Sequence, residues 1–263
     1  DASVAVQAFL DNSFQEFNSG AAVGDKYTSI ENIVGTGFDD LLSGDSNVNL
    51  LEGGSGDDTL IGGGGADVLT GGAGVDTVSY ATATATVTLD LNTGGTVGDA
   101  TGDSYTSIEN VIGSAFSDAL NGNSSDNLIH GGDGDDSLSG GGGNDTLLGG
   151  LGDDVLKNSG VGRHLYDGGL GTNTVTYDGF TTAVDLNLAR TDGNTNGAGG
   201  LEFFTNIQNL TGGSLSDILS GDGQNNTLRG GANDDSLFGA AGNDLLLGEI
   251  GNDVLAGGSG ADT

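Results

Sequence analysis

Cysteine, proline, methionine and tryptophan are all absent from this 263-residue chain, and lysine and arginine together number only 5. Without cysteine no disulfide can hold the fold together, so any staple must be of another kind, such as a metal. The 38 acidic residues leave a formal net charge of −33, which argues against nucleic acid or an anionic membrane surface as a partner. Cations are the natural partner of such a chain.

Long hydrophobic runs are missing as well, since apolar residues make up 34% of the chain and aromatic residues 5%. No stretch approaches the roughly 18 apolar residues of a membrane span, so we expect no membrane insertion. Low apolar content with high net charge is typical of disorder. The chain can therefore fold only under a condition that neutralises its negative charge. The chain lacks an initiator methionine and Asp1 begins no signal peptide, so we expect a processed product or an excised segment.

A nine-residue repeat dominates what is present. It reads G1-G2-x3-G4-x5-D6-x7-U8-x9, where U is aliphatic, and it keeps its phase through residues 35–79, 113–166 and 212–263. After one extra residue, Asp167, the second block continues through 168–176. This frame places Arg163 at position 6 of the next-to-last copy of that block.

The nonapeptide blocks sit inside a larger repeat. Similar lead-in segments precede them (YTSIENIVGTGF at 27, YTSIENVIGSAF at 105, FTNIQNLTGGSL at 204), and alternating segments that predict strands come earlier still (SVAVQAFLDNS at 3, ATVTLDLNTGG at 85, AVDLNLARTDG at 183). We therefore predict three units: 1–79 (strand and lead-in 1–34, nonapeptides 35–79), 80–176 (insert 80–112, nonapeptides 113–176) and 177–263 (insert 177–211, nonapeptides 212–263). Joining residue 263 to residue 1 nearly restores the period, as expected of a window from a longer array.

The nonapeptide predicts a short strand followed by a turn. Glycines at positions 1, 2 and 4 permit turn conformations closed to other residues, and the single aliphatic residue at position 8 should point inward. Two nonapeptides then form a flattened coil of 18 residues, and successive coils stack through parallel strands.

Stacking creates an electrostatic problem. Asp58 and Asp76 would lie about 4.8 Å apart on adjacent coils, where bare carboxylates repel by roughly 3 kcal/mol at an effective dielectric near 20. A divalent cation between the turns converts these carboxylates, with turn carbonyls, into an all-oxygen site that suits calcium better than magnesium or zinc. The coil is therefore not expected to form without bound cations.

The motif resembles the RTX (hemolysin-type calcium-binding) repeats, a calcium-binding parallel β-helix motif that also serves as a general example of repeat architecture. The resemblance implies an all-β, right-handed parallel β-roll or β-solenoid that binds several Ca²⁺ ions and folds outside the cell after type I secretion. Carried over position by position, it implies as ligands Asp40, Asp58, Asp67, Asp76, Asp118, Asp136, Asp145, Asp154, Asp217, Asp235, Asp244, Asp253 and Asp262. The accompanying carbonyls are expected from turn residues such as Gly53, Gly54, Ser55, Gly56, Gly131, Gly132, Asp133, Gly134, Gly149, Gly150, Leu151, Gly230, Gly231 and Gly248.

Some copies depart from the motif. Asn49, Asn127 and Asn226 replace aspartate, so sites there should be weak or absent; the favoured interpretation is a turn that abuts the lead-in segment and needs no ion. Arg163 either supplies a built-in cation to Asp145 or marks decay of the repeat. Asp67 should have only a partial site, because asparagine precedes it by one coil and the insert follows it.

Other chemistry finds little support. His130 and His164 are interpreted as surface histidines, without a nucleophile beside them, and acidic doublets such as Asp57-Asp58 and Asp135-Asp136 recur too often to be a glycosidase pair. Three apolar residues at position 4 are expected to cap the Ile and Val residues of the lead-in segments, and two tyrosines to close the edges of the core. These residues are Phe38, Phe116 and Leu215, and Tyr80 and Tyr177.

Two functions fit these observations, and neither makes the chain itself an enzyme. The first is a calcium-dependent structural segment of a large secreted or cell-surface bacterial protein (fibre, surface layer, matrix or adhesin stalk) that associates with itself or with neighbouring repeats. The second is a carboxy-terminal accessory module of a secreted RTX protease, lipase or polysaccharide epimerase, with polysaccharide as a further partner. A glycan- or ice-binding face is less well supported. Such a face needs a regular exposed row of side chains, and the residues at position 7 of the repeat form only a partly regular row.

Overall fold

A computed structural model describes residues 3–11, 18–158 and 160–263. Within these ranges the chain is almost entirely strand and turn, with two short 3₁₀ turns (Gly20–Ala22 and Gly98–Ala100) and no α-helix. None of the described segments forms a helix long and apolar enough to span a membrane. The strands are β1 Gln7–Phe9, β2 Asn32–Val34, β3 Leu41–Ser43, β4 Leu50–Ser55, β5 Thr59–Ile61, β6 Val68–Ala73, β7 Thr77–Ser79, β8 Thr88–Asp90, β9 Gly94–Val97, β10 Ser104–Thr106, β11 Asn110–Ile112, β12 Ala119–Asn121, β13 Leu128–Asp133, β14 Ser137–Ser139, β15 Thr146–Leu151, β16 Val155–Lys157, β17 Arg163–Leu170, β18 Thr174–Thr176, β19 Asp185–Asn187, β20 Asn194–Thr195, β21 Leu201–Thr205, β22 Asn209–Thr211, β23 Ile218–Ser220, β24 Thr227–Ala232, β25 Ser236–Ala241, β26 Leu245–Ile250 and β27 Val254–Ser259.

Each nonapeptide forms the strand and turn that its residue pattern predicts. Strand β5 consists of the triplet at positions 7 to 9, and the glycines that follow or precede such triplets turn the chain. Gly54 and Gly56 have φ angles of +116° and +114°, which glycine adopts readily and residues with a side chain rarely adopt. The repeat thus encodes its own turn.

Successive coils pair in parallel with a register of 18 residues. Leu42 lies opposite Leu60, and Leu51 lies opposite Leu69. These position-8 side chains are fully buried, and burial of each such side chain contributes about 1.5 to 3 kcal/mol. The predicted parallel β-roll is confirmed.

The chain divides into two compact units, Asp1–Asn123 with Asn127–Asp133, and Ser124–Asp126 with Gly134–Thr263. In the first unit the sheets run β1-β3-β5-β7-β11-β13, β2-β4-β6-β10 and β9-β8-β12. In the second unit they run β15-β17-β21-β20-β19-β23-β25-β27 and β14-β16-β18-β22-β24-β26. The three-unit division describes the sequence repeat and stays a prediction.

The three alternating segments each contain a strand, namely β1, β8 and β19, as predicted. Each of these strands pairs in parallel with the first nonapeptide strand of the following block. Locally the inserts also form antiparallel pairs, β8 with β9 and β19 with β20. The inserts therefore occupy positions in the stack.

Tyr80 and Tyr177 are buried in the core at 2% and 0% exposure, in agreement with a packing role; that they close its edge stays a prediction. The predicted cap is wrong: Phe38, Phe116 and Leu215 remain 45%, 43% and 42% exposed. Position 4 belongs to the turn, which faces solvent, and the short turn offers no apolar pocket to cover these side chains.

Candidate metal centre

Position-6 aspartates line up from coil to coil. In the first unit the backbone N–H of Asp40 donates to Oδ1 of Asp58 at 2.7 Å, and the N–H of Asp58 donates to Oδ1 of Asp76 at 2.8 Å. All three side chains are at most 3% exposed. One carboxylate oxygen of each aspartate thus binds the coil before it.

The same ladder recurs in the second unit. The backbone N–H of Asp136 donates to Oδ1 of Asp154 at 2.9 Å. In the same way, the N–H of Asp217 donates to Oδ1 of Asp235 at 2.7 Å, and that of Asp235 to Oδ1 of Asp253 at 2.9 Å. Asp244 donates to Asp262 at 3.1 Å. The structure therefore brings predicted ligands together in pairs on adjacent coils.

The second carboxylate oxygen is buried and, within the described part of the chain, accepts no hydrogen bond at six of these positions. These oxygens are Oδ2 of Asp58, Asp67, Asp76, Asp154, Asp235 and Asp244. A buried anionic oxygen without a partner is costly. A bound cation removes that cost, so these oxygens fit calcium.

Turn carbonyls lie beside these oxygens. A Cβ atom built on Gly53 would overlap Oδ2 of Asp58 and the carbonyl oxygen of Gly71 on the next coil. Position 1 is therefore glycine because a side chain would fill the space shared by the carboxylate and the carbonyl. Carboxylate and carbonyl oxygens are the ligands that calcium prefers.

The predicted carbonyl ligands lie at the ends of long strands or in the turns after them, for example Gly53, Gly54 and Ser55 at the end of β4. One of them, the carbonyl of Leu151, accepts the N–H of Gly134 at 2.7 Å. Among the described residues no three acidic or histidine side chains gather into a metal-binding cluster. A cation between two coils therefore draws on at most two such side chains together with carbonyls.

Burial changes the titration of these aspartates. Desolvation, together with the neighbouring carboxylates, raises the pKa of Asp58 and of Asp67 to about 6. It also raises the pKa of Asp76, Asp154 and Asp235. These raised pKa values mean that the metal-free coil resists holding the carboxylates as anions.

The first aspartate of each block meets an uncharged residue on the coil before it. The backbone N–H groups of Val6, Val87 and Val184 donate to Oδ1 of their partners at 2.6, 2.7 and 2.8 Å. Those partners are Asp40, Asp118 and Asp217. Among the described residues, these aspartates therefore have no second carboxylate on the preceding coil. The sequence pattern did not reveal that valine occupies this position.

Asparagine at position 6 binds the lead-in segment directly. The side-chain nitrogens of Asn49, Asn127 and Asn226 donate to the carbonyls of Glu31, Glu109 and Gln208 at 3.3, 2.6 and 2.8 Å. An amide can donate where a carboxylate cannot. This geometry supports the interpretation that these turns abut the lead-in segment.

The acidic doublets form a second, exposed ladder. Oδ1 of Asp57 accepts the N–H of Val75 at 2.9 Å, and Oδ1 of Asp39 accepts the N–H of Asp57 at 2.8 Å. The position-5 aspartates therefore tie neighbouring turns together, in agreement with their interpretation as turn residues.

The predicted frame around Arg163 is wrong. Thr146 pairs with Leu165, so the extra residue of this block lies before His164, and His164 occupies position 6 opposite Asp145. Nδ1 of His164 lies 3.2 Å from the backbone nitrogen of Asp145 and 3.3 Å from its Oδ2. The exposed Arg163 instead lies over the ring of Phe203, 4.4 Å from the centroid.

His164 is also not the predicted surface histidine, since it is 1% exposed, whereas His130 is only half-buried. Burial alone lowers the pKa of His164, but Asp145 and Glu202 outweigh burial and the net pKa is raised. His164 thus takes the place opposite Asp145 that was predicted for Arg163, and the neighbouring acids raise its pKa.

Four polar residues that the sequence frame missed also lie on the ladders. They are Asp103, Glu109, Glu202 and Gln208. Two signals were present: Asp103-Ser104-Tyr105-Thr106 repeats the D-x-U-x pattern with tyrosine as the inward residue, and Glu109 lies nine residues before Asp118.

A family model described as RTX calcium-binding nonapeptide repeat (4 copies) matches residues 28–55, 43–78, 112–147, 121–156, 211–246 and 233–263. These matches together cover more than half of the chain. A search of curated proteins finds no match.

Proposed function

Because the chain belongs to the family built from RTX calcium-binding nonapeptide repeats and binds multiple Ca²⁺ ions, we propose that it is a calcium-folded structural segment of a large secreted or cell-surface bacterial repeat protein. Its role is that of a fibre, surface layer, matrix or adhesin stalk. The observation that carries this proposal is the ladder of buried aspartates, because it makes the coils themselves the calcium-binding element.

Calcium acts by mass action on folding. The metal-free coil holds buried carboxylate oxygens without partners, whereas the unfolded chain leaves them in water, so a cation that binds the folded coil stabilises it. Affinities of about 10⁻⁴ to 10⁻³ M are common for extracellular calcium modules. Such affinities leave the chain unfolded in a calcium-poor cytoplasm and fold it after type I secretion.

Strand β27 lies at one end of its sheet. It pairs with β25 on one side, and no other described strand pairs with its second side. Leu255, at the inward position 8, is 49% exposed, whereas Leu237 on the preceding coil is fully buried. A further coil, whichever chain supplies it, would cover Leu255 and complete the sheet edge.

A calcium titration followed by circular dichroism, with reversal by chelator, tests the calcium-dependent fold. We expect β-sheet signal to appear with calcium and to vanish with chelator; a chain that stays folded in excess chelator overturns the proposal.

Electron microscopy of the calcium-loaded protein tests the structural role. Filaments or sheets support assembly, whereas dispersed particles favour the accessory module of a secreted enzyme.

A further inference from the structure

The insert 80–112 continues one aspartate ladder. Strand β10 pairs with β6 so that Ser104 lies opposite Val68, which places Asp103 opposite Asp67. The N–H of Asp67 donates to Oδ1 of Asp103 at 2.7 Å, the same length as the bond from Asp40 to Asp58. Asp103 therefore occupies position 6 of a coil that lies outside the nonapeptide matches.

The same insert continues the other ladder with a glutamate. Strand β11 pairs with β7, and the N–H of Asp76 donates to Oε2 of Glu109 at 2.9 Å. The turn before Glu109 is short: the carbonyl of Ser107, at φ +51°, lies against Gly71 where a glycine carbonyl of the next coil would lie. The extra methylene of glutamate spans the distance that the shortened turn leaves.

The buried oxygens provide an independent sign of a missing ligand. Asp67 and Asp76 are both 0% exposed, and Oδ2 of each has no hydrogen-bond partner among the described residues. Asp103 is 2% exposed; its Oδ2 accepts the hydroxyl of Tyr80 at 2.6 Å and keeps a further lone pair. Burial raises the pKa of Asp67, Asp76 and Asp103, in agreement with uncompensated charge.

We propose that Asp103 and Glu109 complete two additional divalent-cation sites, one between Asp67 and Asp103 and one between Asp76 and Glu109. We name these four residues the first junction. All four supply carboxylate oxygen, a hard ligand that suits calcium, and sulfur or imidazole ligands are absent from the set. The insert thereby extends the calcium columns rather than ending them.

An equivalent place in the second unit shows what happens without the acids. Strand β21 pairs with β17 as β10 pairs with β6, so Glu202 lies opposite His164. On the other ladder, the N–H of Asn173 donates to Oε1 of Gln208 at 2.7 Å. We name His164, Asn173, Glu202 and Gln208 the second junction.

The second junction pairs its one acid with side-chain amides and an imidazole. Glu202 is 0% exposed, and its Oε1 accepts the side-chain nitrogens of Asn158 and Asn196 at 2.9 and 2.7 Å. Burial raises the pKa of Glu202 to about 7, and His164 opposite it acts against that rise. The other pair, Asn173 and Gln208, is neutral. Oε2 of Glu202 also has no hydrogen-bond partner among the described residues, but Glu202 faces an imidazole rather than a second carboxylate, so the proposal assigns added sites to the first junction alone.

Counting bound calcium by native mass spectrometry of the full chain tests the proposal. We expect Asp103→Asn and Glu109→Gln each to bind one calcium fewer than the unchanged chain, and the double variant two fewer. The exposed Glu52→Gln serves as the matched control with an unchanged count. The proposal is overturned if both single variants fold and each still binds as many calcium ions as the unchanged chain.

The reverse substitution sharpens the test. Asn173→Asp combined with Gln208→Glu restores an acidic pair in the second junction and should add one calcium, whereas Glu202→Gln should leave the count unchanged. Should Asp103→Asn fail to fold in saturating calcium, anomalous diffraction from calcium-loaded crystals of the unchanged chain decides. Calcium peaks beside Asp103 and Glu109 support the proposal, and their absence overturns it.

Discussion

The two junctions place residues at the same points of two equivalent coils, yet they handle charge differently. The first junction sets carboxylate against carboxylate, as in Asp67 and Asp103. The second sets Glu202 opposite His164 and surrounds it with amide donors. Under the proposal, the first junction binds a cation from solution, whereas the second uses side chains of the chain itself.

This difference has a physical consequence for stability. Charge compensation by calcium depends on the calcium concentration. The side chains of His164, Asn158 and Asn196 belong to the chain itself, so their contribution does not depend on calcium. We therefore expect the two places to respond differently when calcium, side chains or protons are removed or added.

Calcium removal should have the largest effect. In excess chelator we expect loss of most of the β-sheet signal, because the carboxylate ladders repel. Hydrogen exchange at intermediate calcium should be at least about tenfold faster in β10 and β11 than in β21, since local opening follows local stability. Equal exchange rates in these strands would contradict the comparison.

Truncation of Glu202 should come next. Glu202→Ala removes a buried acceptor and leaves the side-chain amides of Asn158 and Asn196 without it, so we expect a loss of about 3 to 5 kcal/mol in the free energy of unfolding. Urea unfolding in saturating calcium measures it. The exposed Glu52→Ala is the control, with a change within about 0.5 kcal/mol. A loss below about 1 kcal/mol for Glu202→Ala would show that the second junction does not depend on this carboxylate.

Filling position 1 should affect both kinds of coil. A Cβ on Gly53 overlaps Asp58 and a carbonyl, and a Cβ on Gly168 overlaps Asn173 and the carbonyl of Asn206. We expect Gly53→Ala and Gly168→Ala to cost about 1 to 3 kcal/mol by overpacking. Gly37→Ala, where a Cβ meets no atom within 4 Å, is the matched control. Only Gly53→Ala should also weaken calcium binding, because Gly53 lies beside the carboxylate of Asp58 whereas Gly168 lies beside Asn173. Equal weakening by Gly168→Ala would contradict this difference between the two coils.

Acidification should have a smaller effect, with opposite sign in chelator and in calcium. The pKa of Asp67 is about 6 in the folded chain against an ordinary value of 3.8, so the folded state binds more protons between these values. In chelator the metal-free fold therefore gains stability as the pH falls from about 6 toward 4, and loses that gain as the pH rises through 6.

With calcium present, protons compete for the same oxygens. The apparent calcium affinity should fall by up to about tenfold per pH unit below 6 for each titrating carboxylate. Calcium titrations at pH 7.5, 6 and 5 measure this effect. An affinity that does not change with pH would contradict a role for these carboxylates as ligands.

Much of the fold follows from local residue types. The 9-residue period, the glycine turns and the inward position-8 residues predict parallel coils with a register of 18, as Leu42 and Leu60 show. The ladder from Asp40 through Asp58 to Asp76 follows from that register alone. These features repeat at a constant spacing, so their partners can be counted along the chain.

Partners across an insert could not be counted in this way. Asp67 and Asp103 are separated by 36 residues, and Asp76 and Glu109 by 33. The prediction of a partial site at Asp67 considered partners within its own block, whereas the structure supplies Asp103 from the insert. The insert first forms β8 and β9, which join the sheet of the following coil. Only strand pairing reveals which of its later residues return to the ladder.

The sequence by itself determined the coil, its thin aliphatic core and its acidic ladders, because a strict short period stacks each residue on its counterpart in the next coil and so sets charge on charge. Only the tertiary structure decided which residues meet across the inserts. It placed the extra residue of the second block before His164, and it returned Asp103 and Glu109 to the ladders. Loop length does not determine register, whereas hydrogen bonding between strands does.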